Sequence, residues 1–270
     1  MLIEEIRPED RLGKEYMEHP IFEQLKYYSE FYDYLSYSII NWCLKGTNAI
    51  LNLDTYTYSS IKGTINSITE ILSKGRINDA YALLRKYYDS TIINVYTNLY
   101  IMDSFSIDNF IVKKIDNWIQ GTETIPEYRT ISQYIKKSPK LTSINRLLNK
   151  DDRYKNIRNR CNNNIHYNFY SNVLLNDNQI YNPNRAKQLN VFSKDIEAIF
   201  IQHFAYVFYL NEHYMMSNDY REYLDMGMQP EKDSQYWVAP FIQDVFDKII
   251  KKKRYDIAEE IKKNTTMQLM

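Results

Sequence analysis

Apolar residues recur every three or four positions along most of this chain, which is the spacing of an amphipathic α-helix. Between residues 21 and 44 the apolar stripe consists of Phe22, Leu25, Tyr28, Phe31, Leu35, Ile39 and Trp42. The same spacing predicts helices over 58–72, from 78 to 102, over 108–119 and from a capping residue, Ser193, to 216. In the predicted helix from 78 to 102, the residues expected to be buried are Ala82, Leu83, Tyr87, Ile92, Val95, Leu99 and Met102. The fold predicted by this pattern is all-α.

Breaks in the pattern suggest where the chain divides. Residues 151–166 contain no helix breaker, whereas the Asn-rich stretch after them predicts a loop or a short hairpin with strands at 173–175 and 179–181. Beyond Ser217 the apolar spacing is lost, and it returns in a last amphipathic helix over 241–263. We therefore predict a helical bundle domain over 1–217 and a C-terminal extension with one amphipathic helix over 218–270.

Composition agrees with long helices and excludes several classes of protein. Only 6 Gly and 7 Pro occur in 270 residues, which is few for a β-rich fold with its many turns. The 34 basic and 34 acidic residues cancel, so no overall field favours nucleic acid. Two cysteines are too few for a disulfide framework and predict reduced thiols. With no signal peptide and no apolar run near the roughly 20 residues that span a bilayer, we expect a cytoplasmic protein without a membrane partner.

The common catalytic signatures are missing from the sequence. It has no Gly-rich phosphate loop, no HExxH or CxxC motif and no G-x-S-x-G turn. Acidic residues do not cluster at metal-binding spacing either. We accordingly predict neither a cofactor nor a bound metal.

One short segment, IRNRCNNNIHYN at residues 157–168, concentrates candidate chemistry. A helix turns about 100° per residue, so Arg158, Asn162 and His166, spaced by four, fall on one face. Asn159 and Asn163 lie beside them. Arg160 is about 120° away from His166 and reaches that face only if the helix ends or bends at the asparagines. The other interpretation is a polar, solvent-exposed helix end without a function.

Two segments of the chain resemble the HEPN (higher eukaryote and prokaryote nucleotide-binding) family. RCNNNIH, residues 160–166, fits the Arg-x(4–6)-His signature of that all-α family. Upstream, DAYALLRKYYDS at 79–90 resembles the family's earlier bundle helix, in which an Ala-x-x-Leu-x-Arg pattern precedes an acidic residue. The resemblance covers residues 20–215 and implies a helical bundle of HEPN type.

The resemblance leaves open which arginine belongs to the site. A polar residue often follows the family's arginine, whereas Arg160 is followed by Cys161. Arg158 has a polar neighbour in Asn159 but stands one residue too far from His166 for the signature.

HEPN ribonucleases cleave RNA without a metal, by attack of the 2′-hydroxyl on the adjacent phosphate, leaving a 2′,3′-cyclic phosphate. By resemblance, His166 would transfer protons and Arg160 or Arg158 would stabilise charge on the phosphate. Asn162 or Asn163 would orient the imidazole or the phosphate. Tyr167 and Tyr154 are the candidates for stacking on RNA bases. In a chain with 26 Tyr, the alternative is that these rings pack in the protein core. Asn159 completes the predicted substrate-binding set.

A lone histidine cannot act as acid and base in one concerted transfer, so we expect a homodimer that places two motifs face to face. The family further implies RNA as the substrate, a role as a toxin or antiphage defence effector, and an antitoxin or sensor protein as a partner. Two alternatives remain open. One is a catalytically inactive HEPN-like module that binds nucleotide or protein. The other is a helical interaction protein whose tail helix from Phe241 docks a partner.

Overall fold

The computed structural model describes residues 12–40, 53–106, 111–176 and 185–270, and nearly all of its regular structure is helical. No strand or sheet occurs within those ranges, although Met216 and Val238 form an isolated antiparallel bridge. The all-α prediction is therefore confirmed. The described α-helices of six or more residues are α1 (Ile21–Ile40), α2 (Leu53–Ser73), α3 (Ile77–Ser104), α4 (Lys113–Ile119), α5 (Tyr128–Lys137), α6 (Thr142–Leu148), α7 (Arg153–Ile165), α8 (Arg185–Leu210), α9 (Asp219–Asp225), α10 (Pro240–Val245) and α11 (Tyr255–Asn264).

The chain divides into two compact units, and both draw on distant parts of the sequence. Unit 1 comprises the described residues of Met1–Tyr32, Ser59–Ser90 and Asp152–Phe200. Unit 2 comprises those of Asp33–Tyr58, Thr91–Asp151 and Ile201–Met270. The predicted boundary after residue 217 does not appear in this division, because residues 201–270 all belong to unit 2.

Aromatic side chains from α1, α3 and α8 fill the core of unit 1. Tyr28 of α1 stacks on Phe200 of α8 with ring centroids 4.0 Å apart. The hydroxyls of Tyr32 and Tyr87 are 3.0 Å apart, so each buried phenol supplies the other's hydrogen-bond partner. The apolar stripe predicted for α1 is buried at Leu25, Tyr28, Phe31, Leu35 and Ile39, whereas Trp42 lies outside the described residues.

Several predicted helix limits and faces are wrong because tertiary contacts override local signals. Ser193 does not cap a helix: α8 begins eight residues earlier, and the Ser193 hydroxyl donates to Oε1 of Gln24 at 2.6 Å. In α3 the predicted stripe is buried at Tyr87, Ile92, Val95 and Leu99, whereas at the start of the helix Ala82 is exposed and its neighbours Ala80 and Leu84 are buried instead.

The two loop regions flanking α4 and α7 also differ from the predictions. Helix α4 begins at Lys113 rather than at 108, and residues 107–110 lie outside the described residues. The predicted first hairpin strand over 173–175 is absent, because Tyr170–Val173 forms one helical turn. Residues 179–181, its predicted partner strand, are outside the described residues.

The predicted single C-terminal helix over 241–263 is wrong, because the backbone leaves the helical conformation at Arg254 (φ −145°, ψ 68°). The Arg254 guanidinium donates to the carbonyl of Leu147 at 2.7 Å and to both carboxylate oxygens of Asp256. These bonds fix a corner before α11. The apolar residues of the preceding segment are buried within unit 2, namely Ile242, Val245, Phe246 and Ile250. The alternative in which this tail docks a partner therefore loses its apolar docking face.

Candidate active site at the end of α7

Helix α7 runs unbroken through the three asparagines and ends at Ile165, so that His166 is its C-cap. The His166 N–H still donates to the carbonyl of Asn162 at 3.0 Å. Next, the Tyr167 N–H donates to the carbonyl of Asn164 at 3.3 Å and the Asn168 N–H to that of Asn163 at 3.0 Å. This pair of bonds is the Schellman motif, a regular way of closing a helix.

Tyr167 occupies the one position of this motif that favours glycine. Its φ of 50° lies in the left-handed region, where an L side chain costs about 1–2 kcal/mol relative to the right-handed region. The ring is 49% exposed. An aromatic side chain is thus held, against its backbone preference, on the surface directly beside His166.

The asparagines around the end of α7 serve largely as hydrogen-bond partners for backbone carbonyls. Asn172 Nδ2 donates to the carbonyl of Asn163 at 2.8 Å, and Asn168 Nδ2 donates to Oδ1 of Asn163 at 2.9 Å. Asn78 Nδ2 donates to the carbonyl of the buried Asn164 at 2.9 Å. Both carbonyls also accept an N–H of the Schellman motif, so each amide adds a second hydrogen bond to a carbonyl at the end of the helix.

Four side chains of α3 and α7 form what we call the arginine cluster: Arg85, Asp89, Arg158 and Asn162. Asp89 accepts from Arg158 Nη1 at 2.7 Å and from Arg85 Nε at 2.9 Å, one bond on each carboxylate oxygen. Arg85 Nη1 then donates to Asn162 Oδ1 at 2.5 Å. Both guanidiniums are largely buried, which fixes their orientation. The cluster joins two segments of the chain that lie 69 or more residues apart.

His166 lies one helical turn beyond Asn162, about 6 Å along the axis of α7. The residue is exposed, and within the described part of the chain its imidazole has no hydrogen-bond partner. An exposed histidine side chain is open to a substrate and is a residue type suited to proton transfer. The face predicted from helical spacing, with Arg158, Asn162 and His166 in line, is therefore present in the structure.

Arg160 is directed to a different partner. It forms a two-bond pair with Asp195 of α8, through Nε to Oδ2 at 2.7 Å and through Nη2 to Oδ1. Burial raises the pKa of Asp195, and the guanidinium acts in the opposite direction. Because α7 does not bend at the asparagines, the condition for Arg160 to join His166 is not met. Of the two candidate arginines, Arg158 shares the face with His166.

The remaining predicted residues divide between surface and core. Asn159 is exposed and Asn163 is half-buried. Tyr154 is only 7% exposed, so the prediction that it stacks on a base is corrected: its ring belongs to the core of unit 1. Three charged residues near the site were not singled out from the sequence, namely Arg85, Asp89 and Asp195. For the first two the signal existed, since they are the arginine and acidic residue of the upstream pattern at 79–90.

A second polar group, which we call the Asp54 network, lies inside unit 2. Asp54 accepts from Asn94 Nδ2, Asn98 Nδ2 and the Tyr214 hydroxyl at 2.7, 2.8 and 2.7 Å. His203 Nε2 is 2.9 Å from Asn94 Oδ1. Burial raises the pKa of Asp54, against the effect of its three donors, and lowers the pKa of His203 to about 3. His203 is therefore a neutral core histidine, as its apolar sequence surroundings suggest.

Further properties of the described residues limit the chemistry near the site. Burial raises the pKa of Cys161 to about 12, so this thiol stays protonated near neutral pH. No group of three or more His, Cys, Asp or Glu within the described ranges is arranged to hold a metal ion.

None of the described helices combines the length and apolarity needed to cross a bilayer.

Comparison of the chain with protein-family models, with curated proteins and with solved structures gave no significant match.

Proposed function

We propose that this protein is a metal-independent endoribonuclease of HEPN type, with His166 and the arginine cluster as its active site. The observation that carries the proposal is the meeting of the two HEPN-like segments. The arginine and acidic residue of the upstream pattern, Arg85 and Asp89, contact Arg158 and Asn162 of the downstream segment. A cluster built from both segments, next to an exposed histidine, is what a site for phosphate chemistry needs.

In the proposed reaction, the RNA 2′-hydroxyl attacks the adjacent phosphorus as the bond to the 5′-oxygen breaks. His166 takes the proton from the 2′-hydroxyl or gives one to the leaving 5′-oxygen. Arg158 opposes the charge that builds on the phosphate, and Asp89 together with Asn162 holds the two guanidiniums in place. Since one imidazole performs only one of the two proton transfers at a time, we propose that a second copy of the chain supplies the other.

The test is RNA cleavage by the full chain in EDTA, with product ends analysed for 2′,3′-cyclic phosphate. We expect His166→Ala to lower the cleavage rate by about 10²–10⁴-fold, the usual contribution of a general acid or base. Lys155→Ala is the matched control, since Lys155 is an exposed cation on the same helix outside the cluster. If the wild-type chain leaves RNA intact as a dimer and in the presence of its cellular partners, the proposed activity is wrong.

We also propose a defence or toxin role held in check by an antitoxin or sensor protein, by analogy with the family. Expression of the wild-type chain should arrest growth of a bacterial host, and His166→Ala should not.

For the proposed dimer, analytical sedimentation should give twice the mass of one chain. A monomer that cleaves RNA would remove the second copy from the mechanism.

A second candidate, the inactive HEPN-like module, is favoured by one observation. Both arginines of the motif contact carboxylates, Arg158 through Asp89 and Arg160 through Asp195. A ligand phosphate would then compete with a carboxylate for each guanidinium. RNA binding without cleavage, unchanged by His166→Ala, is the result that this module predicts.

A further inference from the structure

A pocket of about 280 Å³ opens in unit 1 on another side of α7 from the arginine cluster. Its polar lining includes Arg160 and Asn163 of α7, Asn172 of the turn that follows, and Gln188 of α8. Its apolar lining includes Phe169 and Val191. The size is just below the range of about 300–1,000 Å³ typical of small-ligand pockets, which suits a ligand of one ring system.

The chemistry of this lining favours a neutral, planar ligand over an anion. Among the described residues that line it, Arg160 is the one charged side chain, and it is paired with Asp195 through two hydrogen bonds. The amides of Asn163, Asn172 and Gln188 each carry both a donor and an acceptor group. Such a mixed set matches the edge of a nucleobase, and an aromatic ring such as Phe169, 59% exposed, offers a stacking surface.

We propose that this pocket binds one unpaired nucleobase of an RNA strand and gives the protein a base preference. The choice of RNA as the ligand rests on the proposed function. Asn163 lines the pocket while its neighbour Asn162 belongs to the arginine cluster, and His166 lies one turn further along α7. A turn is about 5.4 Å, so a base held in the pocket leaves an adjacent phosphate of its strand near His166.

The test measures binding of fluorescein-labelled single-stranded RNA octamers to the His166→Ala full chain, at one fixed salt concentration. The probes are octamers of A, of C and of U, and an octamer of abasic ribose phosphates. We expect the abasic strand to bind at least tenfold more weakly than the best base, and the three bases to differ at least fivefold. Gln188→Ala should reduce the differences among bases.

A matched pair of variants separates the pocket from the rest of the surface. Phe169 and Tyr170 are neighbouring exposed aromatic residues, but only Phe169 lines the pocket. Phe169→Ala should weaken binding about tenfold and Phe169→Tyr should restore it, whereas Tyr170→Ala should stay within twofold. Thermal unfolding of each variant checks that the fold is retained.

Three results would overturn the inference: no binding of any octamer, equal binding of the abasic strand, or an equal loss for Tyr170→Ala and Phe169→Ala. An equal loss for the two alanine variants would mean that bases stack on the open surface or that another class of ligand fills the pocket. Failure of the proposed function is distinguishable. Base-selective binding without cleavage by the wild-type chain would support the nucleobase pocket and contradict the ribonuclease activity. Cleavage without base selectivity would support the ribonuclease activity and contradict the nucleobase pocket.

Discussion

The arginine cluster of unit 1 and the Asp54 network of unit 2 are built from similar residue types in opposite environments. Each contains a carboxylate and at least one side-chain amide. His203 contacts Asn94 of the Asp54 network, and His166 lies one helical turn beyond Asn162 of the arginine cluster. The Asp54 network is buried, and burial keeps His203 neutral with a pKa of about 3. His166 is exposed at the end of α7. Residue type alone therefore does not distinguish a buried structural network from a candidate active site, whereas solvent access and charge do.

The largest expected difference between the two regions is in stability. His203→Ala should lower the free energy of unfolding by about 2–4 kcal/mol, because it creates a cavity and removes the partner of Asn94 Oδ1. His166→Ala should change it by less than about 0.5 kcal/mol, since the side chain is exposed. Urea unfolding at 25 °C measures both. Equal losses would mean that His166 is also a structural residue.

The next effect separates the two arginines of α7. Arg160→Gln should lower the free energy of unfolding by about 1–3 kcal/mol, because the buried Asp195 loses a partner that donates two hydrogen bonds. The loss is smaller than for a fully buried pair, since solvent screens the partly exposed guanidinium. Arg158→Gln should lower RNA cleavage more than Arg160→Gln while costing less stability, since Asp89 keeps Arg85 as a partner. Cleavage rates and urea unfolding of both variants provide the measurement. The reverse order of rates would return the site to the arginine that fits the family spacing.

Within the Asp54 network, two titrations should oppose each other. The folded pKa of Asp54 is raised, so its contribution is fully present below its unfolded pKa of about 4 and is lost as pH rises through the folded value. The folded pKa of His203 is lowered to about 3, so its contribution is present above about 6.5 and is lost as pH falls.

Relative to wild type, Asp54→Asn should therefore gain stability as pH rises above 4, by at most about 1.4 kcal/mol per pH unit. His203→Gln should gain stability relative to wild type as pH falls below 6.5. Unfolding free energies from pH 4 to 8 give both slopes. Parallel curves for wild type and Asp54→Asn would show that Asp54 does not titrate differently on folding.

The smallest effect concerns Tyr167, beside the arginine cluster. Because the φ of Tyr167 is 50°, Tyr167→Gly should relieve backbone strain. We expect the free energy of unfolding to rise by up to about 1 kcal/mol, which corresponds to an increase of about 1–3 °C in melting temperature. The same change should weaken RNA binding if the exposed ring stacks on a base. Tyr167→Asn, which tolerates the left-handed region and also lacks the ring, is the control for the backbone effect. A destabilised Gly variant would show that the ring's contacts outweigh the strain.

The sequence by itself determined features that depend on residues close together in the chain. The three- and four-residue apolar spacing was sufficient for an all-α fold and for the buried face of α1, because a helix places such residues on one side whatever it packs against. Spacing by four was likewise sufficient to align Arg158, Asn162 and His166.

Tertiary structure decided every feature that depends on how helices meet. The partner of Arg160 is Asp195, 35 residues away on α8. The contact of Asp89 with Arg158 spans 69 residues. The corner at Arg254 depends on the carbonyl of Leu147, 107 residues earlier. Periodicity fixes which side of a helix is apolar, but the partners of a polar side chain depend on the packing of other helices, which local spacing does not encode.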